Sequence, residues 1–440
     1  MSRPLPPGLL VGCATAAHQV EGGIDNNDWS RWELQQPSPI ADGSTAQRAI
    51  DHYARYREDL AQLAESSHNA YRFSIEWARV EPHPGVFDTA ALRHYVDVAR
   101  TCRRHGLEPV VTLQHFTLPV WLAQRGGLRA RDAPVRFARF AAACAEALAG
   151  DVGWWLTLNE PSVLAVQGYV TGIWPPQQRS LPRALDAMSG LLRMHAAAAH
   201  ALHEVAARRG VDARVSYAHH ERPLRAADDA RLIDRLAALL PNYVFNRVLL
   251  LSCMTGRALP PLGRGERVPR LRGSLDYLGV NYYTDDLVRF DSGATRMLFA
   301  RVMADTSLPL SEFGWAINPQ GLRRALTSLW RLTTLPLLVT ENGIADAGDR
   351  NRPAYIIDHL NAVLDSIEDG ADVRGYLHWT AWDNFEWSEG YSKKFGLWAV
   401  DRETLERTPR PSAQLYAAIC RTRQVPADVP STSGSSAGPG

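Results

Sequence analysis

Short apolar runs that end in polar or turn-forming residues recur along this chain, separated by segments with helical periodicity. The run at 335–339 leads through a threonine into Glu341 and an Asn-Gly pair. The largely apolar run at 154–158 leads through an asparagine into Glu160 and a proline. A continuous apolar run bounded by turn residues is typical of a strand that is buried on both faces of a parallel sheet. Both runs are therefore predicted to be buried strands, and a glutamate lies at the end of each.

The same alternation extends over most of the chain. The predicted strands are 9–12, 70–75, 109–113, 154–158, 213–218, 275–283, 335–340 and 373–379. The predicted helices are 48–66, 89–105, 133–149, 181–209, 228–251, 319–332, 353–368 and 411–421. Strands that alternate with helices in this way favour an α/β fold, a single (β/α)8 TIM barrel. We predict one domain at 9–421 and a small, polar, disordered tail at 422–440.

Polar and aromatic side chains gather at the ends of the predicted strands. In a parallel barrel all the carboxyl ends meet at one rim, where catalytic groups are found. This convergence predicts one site, because scattered surface residues would not favour a single end. The candidate residues are Gln19, Arg72, His115, Asn159, Glu160, Asn281, Tyr283, Glu341, Trp379, Glu386 and Trp387.

Two carboxyl groups that flank a substrate are the minimum set for cleaving a glycosidic bond. One must be protonated to donate to the leaving oxygen, and the other must be ionised. Arg72 and Tyr283 are candidates to hold Glu341 ionised, which leaves Glu160 as the protonated acid. The residues alone leave alternatives open: Arg72 could form a purely architectural ion pair, His115 could be a core histidine, and Tyr283 could be wall packing.

Composition narrows the functional classes. The chain has 440 residues, 45% of them hydrophobic, and a net charge of +1, so no strong field favours nucleic acid or an anionic membrane. We find no apolar run long enough to span a bilayer. The five cysteines are scattered without metal-site spacing, which predicts reduced thiols, no metal and a cytoplasmic location. Nothing in the sequence calls for a cofactor.

Five motifs, in order along the chain, resemble glycoside hydrolase family 1, the β-glucosidase family, over nearly the whole ordered chain. They lie at 12–22, 71–77, 157–161, 339–343 and 383–387. The resemblance implies a retaining β-glycosidase that acts on a small-molecule β-glycoside, with Glu160 as acid/base and Glu341 as nucleophile. It also implies that Tyr283 and Arg72 support the nucleophile. Sugar contacts are implied for Gln19, His115, Asn159, Asn281, Trp379, Glu386 and Trp387.

Four positions depart from the usual family pattern: His18, Phe116, Ser162 and Trp382. Ser162 stands where tryptophan commonly follows the Asn-Glu-Pro motif, and it opens room on the leaving-group side. Glucosides are the expected substrates, with galactosides or fucosides as alternatives. Two other readings remain open, a transglycosylating enzyme on the same scaffold and a non-catalytic sugar-binding homologue.

Overall fold

The computed structural model describes residues 1–429. At its centre eight parallel strands pair in chain order, and the last pairs with the first to close a barrel. This confirms the predicted (β/α)8 fold. The strands are β1 (Leu10–Ala14), β2 (Ala70–Ser74), β3 (Glu108–Gln114), β4 (Trp154–Asn159), β5 (Arg214–His220), β6 (Leu278–Asn281), β7 (Leu337–Asn342) and β8 (Val373–Trp379).

Within residues 1–429, nine longer helices cover the outside of the barrel or follow its last strand. They are α1 (His52–Glu65), α2 (Thr89–Arg104), α3 (Ala133–Leu148), α4 (Leu181–Arg209), α5 (Leu232–Asn242), α6 (Val248–Thr255), α7 (Pro319–Thr333), α8 (Arg352–Glu368) and α9 (Pro411–Thr422). Most begin or end within a few residues of the predicted bounds.

Strand β7 shows why the predicted strands read as continuous apolar runs. Leu338 packs inside the barrel, whereas Leu337 and Val339 belong to the core between the strands and the helices. Successive side chains of a strand point to opposite faces, so both faces of this strand are buried in apolar surroundings. Its pairing is irregular between Val339 and Glu341, and the regular alternation ends there.

The predicted helix 228–251 is interrupted in the structure. α5 ends at Asn242, a π-helical segment follows at Tyr243–Arg247, and α6 then continues. Pro241 lies within the last turn of α5. Proline has no backbone N–H and crowds the preceding turn, so a change of helical register at this point has a local cause.

Helix α5 packs on a small three-stranded sheet outside the barrel. The sheet is formed by Leu224–Ala226, Asp286–Phe290 and Ala300–Ala304. Ala237 and Ala238 face this sheet, whereas side chains on the opposite face of the helix, such as Leu236, Leu239 and Leu240, are exposed.

The stretch from α5 through α6 contradicts the expectation that no apolar segment is long enough to span a bilayer. Leu232–Thr255 spans 24 residues and contains an 18-residue window with a mean hydropathy of 1.4, so it is long and apolar enough to cross a bilayer by length and composition. Half of the apolar window is buried inside the protein, and the π-helical segment interrupts it. Partial burial of this kind is also found in the core helices of globular proteins.

The two ends of the described chain pair with each other. Arg3–Pro4 forms an antiparallel bridge with Gln424–Val425, and Val425 is fully buried. The prediction of disorder is therefore wrong for Gln424–Val425, because backbone pairing and the buried side chain of Val425 hold this segment against the domain. Residues 430–440 of the predicted tail lie outside the described residues. All five cysteines are buried free thiols, as predicted.

Candidate active site

A cavity of about 150 Å³ opens at the carboxyl ends of the barrel strands. Glu160 follows β4, Glu341 is the second-last residue of β7, and both residues line this cavity. The backbone of Glu160 is left-handed, with φ of +44°, and Pro161 begins a short helix directly after it. A non-glycine residue adopts this conformation only where the surroundings enforce it, as they often do at functional sites.

Both oxygens of Glu341 accept strong hydrogen bonds. Arg72, which is fully buried in β2, donates Nη1 to Oε1 at 2.5 Å, and Tyr283 donates its hydroxyl to Oε2 at 2.7 Å. Burial nevertheless raises the pKa of Glu341 to about 7, with the charge of Glu160 adding to the effect and Arg72 and Tyr283 opposing it. Arg72 and Tyr283 therefore favour the ionised form of this carboxyl, but they do not outweigh the effect of its burial.

Glu160 has a different partner, His220, which is the last residue of β5. His220 Nδ1 lies 2.7 Å from Glu160 Oε1, and Asn281 donates Nδ2 to the same oxygen at 2.7 Å. Burial raises the pKa of Glu160, but attraction to His220 and these hydrogen bonds outweigh it and hold the pKa below its usual value. This direction is opposite to the expected protonated acid, because the sequence-based expectation did not include His220.

Asn159 connects the two halves of the site. Its Oδ1 accepts from Arg72 Nη2 at 2.7 Å and from Asn281 Nδ2 at 3.1 Å. Its Nδ2 donates to His115 Nε2 at 3.1 Å, which places the ring proton of a neutral His115 on Nδ1. Burial and the charge of Arg72 lower the pKa of His115 well below its usual value, in agreement with that neutral form.

Gln19 and Glu386 meet at the far side of the cavity. Gln19 Nε2 donates to the backbone oxygen of Phe385 at 2.8 Å and lies 3.4 Å from Glu386 Oε2. Burial and the charge of Glu341 raise the pKa of Glu386 to about 8. Within residues 1–429, Gln19 Oε1 and His115 Nδ1 are buried without a hydrogen-bond partner from the protein. Buried polar atoms are nearly always paired, so these two atoms are suited to polar groups of a ligand.

Aromatic rings form much of the remaining wall. The ring of His115 lies roughly parallel to the indoles of Trp379 and Trp387, with centroid distances of 5.8 and 5.9 Å. Phe116 and Trp174 pack beside Trp387. Flat apolar faces bordered by polar atoms match the two kinds of surface that a sugar ring presents.

All eleven candidate residues thus belong to one contact network around the cavity. The cavity wall also contains residues that were not predicted, among them His220, Arg222 and Trp315. His220 had a detectable signal, since it is a polar residue at the end of the fifth strand. The predicted strand stopped at residue 218, however, two residues before the end of β5.

Two buried glutamates at the ends of β4 and β7, above an aromatic-walled cavity, define a barrel enzyme of the paired-carboxylate class. Residues 1–425 match the profile of glycosyl hydrolase family 1, and the chain belongs to that family.

Relatives with established names agree with this assignment. Thermostable β-glucosidase B of Thermobispora bispora is 34% identical, over 94% of this chain and 90% of its own length. A β-galactosidase of Sulfolobus acidocaldarius is 29% identical, over 96% of both chains. Among solved structures, a β-glycosidase from Pyrococcus horikoshii superimposes with a TM-score of 0.88 at 35% identity, covering 97% of both chains. The family 1 β-glucosidase of Thermotoga maritima, in complex with isofagomine lactam, gives a TM-score of 0.90 at 29% identity, covering 96% of this chain and all of that one.

Proposed function

We propose that this enzyme is a retaining β-glycosidase that hydrolyses β-D-glucosides through a covalent glycosyl-enzyme. The observation that carries the proposal is the different environment of the two glutamates. Arg72 and Tyr283 fix both oxygens of Glu341, whereas Glu160 is bonded to the titratable side chain of His220. One carboxyl is thereby oriented for attack, and the other lies next to a group that can give or take a proton.

In the first step Glu341 attacks the anomeric carbon and the bond to the leaving oxygen breaks. Glu160 donates a proton to that oxygen, so the leaving group departs as a neutral alcohol. The bond of 2.7 Å to His220 Nδ1 gives Glu160 a source for this proton, since imidazolium and carboxylate can exchange it directly. The attack neutralises the charge of Glu341, which relieves its repulsion of the Glu160 carboxylate.

In the second step water attacks the anomeric carbon, and the ester bond to Glu341 breaks. Glu160 takes the proton from this water and Glu341 leaves as a carboxylate, so the enzyme returns to its starting state. The proton can then pass from Glu160 back to His220 Nδ1 across the same 2.7 Å bond, which restores the pair that supplied a proton in the first step.

The sugar is expected to lie between the carboxyl pair and the Gln19–Glu386 corner. Gln19 Oε1 and His115 Nδ1 offer an acceptor and a donor to neighbouring hydroxyls. Asn159 lies one residue before Glu160, in position for the 2-hydroxyl, a contact that strengthens in the transition state. Because an amide and a carboxyl can each accept or donate, we expect galactosides and fucosides to be accepted more weakly than glucosides.

The stereochemistry of the first product tests this proposal. Two inversions restore the starting configuration, so proton NMR during the first minutes of hydrolysis should show the β-sugar. With Glu341→Gly, hydrolysis should collapse, and added azide should yield the α-glycosyl azide by a single inversion. An α-sugar from the unmodified enzyme would mean that Glu341 is not the nucleophile.

A further inference from the structure

A second cavity, of about 270 Å³, lies beside the catalytic one, and we call it the side cavity. Its walls come from the segment after Glu160, from α5 and the π-helical segment, and from the hairpin around Met297. Most of them are apolar. The residues that characterise it are Val166, Val170, Val244, Phe245, Met297 and Val302.

The side cavity adjoins the catalytic cavity on one side only. Val163, Gln167 and Arg222 line both cavities. Ser162, two residues after Glu160, also lines the side cavity. The walls that surround the sugar, such as Trp379 and Glu386, do not contribute to it. The side cavity therefore extends from the part of the site where Glu160 meets the leaving group.

Three of the polar side chains in these walls are already engaged with other groups of the protein. Ser162 donates its hydroxyl to the backbone oxygen of Phe245 at 2.7 Å. Arg222 donates Nε to Asp286 at 2.6 Å, and Gln167 Oε1 accepts from Thr171 at 3.0 Å. A sugar or a peptide would have to displace these bonds, whereas an apolar group would not. The chemistry of the walls favours hydrocarbon.

We propose that the side cavity binds the hydrocarbon chain of an amphiphilic leaving group, so that β-glycosides of medium-length alcohols are preferred substrates. The inference rests on the proposed function, since it assigns the leaving group of that same reaction. The proton donor, the shared wall and the apolar cavity form a continuous path from the glycosidic oxygen outward. A chain attached to that oxygen enters the cavity while the sugar stays between Glu341 and Glu386.

The test is a series of alkyl β-D-glucosides from methyl to octyl, used below the concentrations at which they form micelles. Straight-chain alcohols from butanol upward have nearly the same acidity, so their intrinsic reactivity as leaving groups is constant. Burial of each methylene should then raise kcat/KM roughly two- to fourfold. The ratio of octyl to methyl kcat/KM is the quantity to compare, because it cancels general effects on the sugar and the carboxyls.

Two variants alter the side cavity by different means. Val166→Trp fills it, and Val302→Glu places a charge at its partly exposed edge. Each should reduce the octyl-to-methyl ratio at least tenfold. Val86→Glu is the matched control, since Val86 is an exposed valine outside both cavities, and it should keep the ratio of the parent enzyme.

The outcomes separate the two proposals. If methyl and octyl glucosides are hydrolysed equally well, or if both cavity variants retain the parent ratio, the chain does not bind in the side cavity. If no β-glycoside in the series is cleaved, methyl glucoside included, the proposed function itself fails. Val302 lies on the surface, so this variant is informative even if Val166→Trp does not fold.

Discussion

His220 and Glu160 are joined by a hydrogen bond of 2.7 Å between Nδ1 and Oε1, and both side chains are more than nine-tenths buried. On its other side the imidazole lies roughly parallel to the ring of Tyr283, with centroids 6.0 Å apart. Tyr283 in turn binds Glu341. The histidine thus contacts both Glu160 and the tyrosine that binds Glu341, and its charge lowers the pKa of Glu160.

Substitution of His220 should change the pH dependence of the second step. With activated aryl glucosides the good leaving group makes the first step fast, so hydrolysis of the proposed glycosyl-enzyme should limit kcat, and this step needs Glu160 as an ionised base. His220→Gln removes the attraction that lowers the pKa of Glu160, so the pKa should rise and Glu160 should become protonated at higher pH. The low-pH limb of kcat should move upward by on the order of one unit.

His219→Gln is the control for this measurement, because His219 Nε2 lies 2.9 Å from Glu221 and does not contact Glu160. The low-pH limb of kcat should stay at the pH of the parent enzyme in this variant. Equal shifts in both variants would mean that the effect is a general consequence of disturbing the end of β5.

Tyr283→Phe should shift the low-pH limb of the kcat/KM profile rather than that of kcat. Free enzyme must ionise Glu341 before attack, so kcat/KM should rise with pH through about 7. The Tyr283 hydroxyl stabilises the ionised form, and its loss should move this limb to higher pH and lower kcat/KM roughly tenfold or more. Tyr282→Phe is the control, since that hydroxyl donates to Asp285 and the backbone oxygen of Asn318 instead. A limb that stays fixed in Tyr283→Phe would exclude Glu341 as its origin.

Glu160→Ala should separate good leaving groups from poor ones. Alkoxide leaving groups need a proton, so kcat/KM for alkyl glucosides should fall by about 10²–10⁴-fold. Activated phenolates depart unaided, so the first step with dinitrophenyl glucoside should change far less. The measurement is kcat/KM for a set of glucosides of graded leaving-group acidity. A uniform decrease across the set would show that Glu160 does not act as the acid.

Glu386→Gln should increase stability at high pH. An ordinary glutamate ionises near pH 4.3, whereas burial and Glu341 raise the pKa of Glu386 to about 8. Between these values the unfolded chain has released a proton that the folded protein retains, so stability falls as pH rises. The variant lacks this titration, and its Tm relative to the parent should increase by roughly 1–3 °C from pH 5 to pH 8.5.

Glu58→Gln serves as the comparison for this experiment, because it makes the same substitution at an exposed glutamate outside the site. For this comparison variant, the change in Tm between pH 5 and pH 8.5 should match that of the parent enzyme. If Glu386→Gln also shows no pH-dependent gain, then Glu386 does not retain its proton in the folded protein.

The fold was predictable because barrel strands are apolar on both faces. Val373–Trp379 was predicted with its exact bounds, and α4 was found at 181–209 as predicted. The end of β5 was not predicted, because its last two residues, His219 and His220, are polar and a glutamate follows them. The break at Pro241 was also missed, because the alanines and leucines around it favour an uninterrupted helix.

The sequence was sufficient to predict which residues form the candidate site, but not which of their carboxyl groups are protonated. Strand ends identify which side chains share the rim, and all eleven candidates lie in one network. The pKa of Glu341 depends on burial and on the distance to other carboxyls, and neither is encoded in local sequence. The partner of Glu160 is 60 residues away along the chain, so only the closed barrel reveals it.

Arg72 binds across the inside of the barrel as well as in the site. From β2 its guanidinium donates to Thr112 of β3, to Asn159 of β4 and to both Thr340 and Glu341 of β7. No water-exposed surface remains on this side chain to replace those bonds if one strand moves away. Local opening near the carboxyls therefore requires the barrel wall to open as well. Cooperativity follows: in rising denaturant, catalysis and the whole barrel should be lost in one transition, without a folded but inactive intermediate.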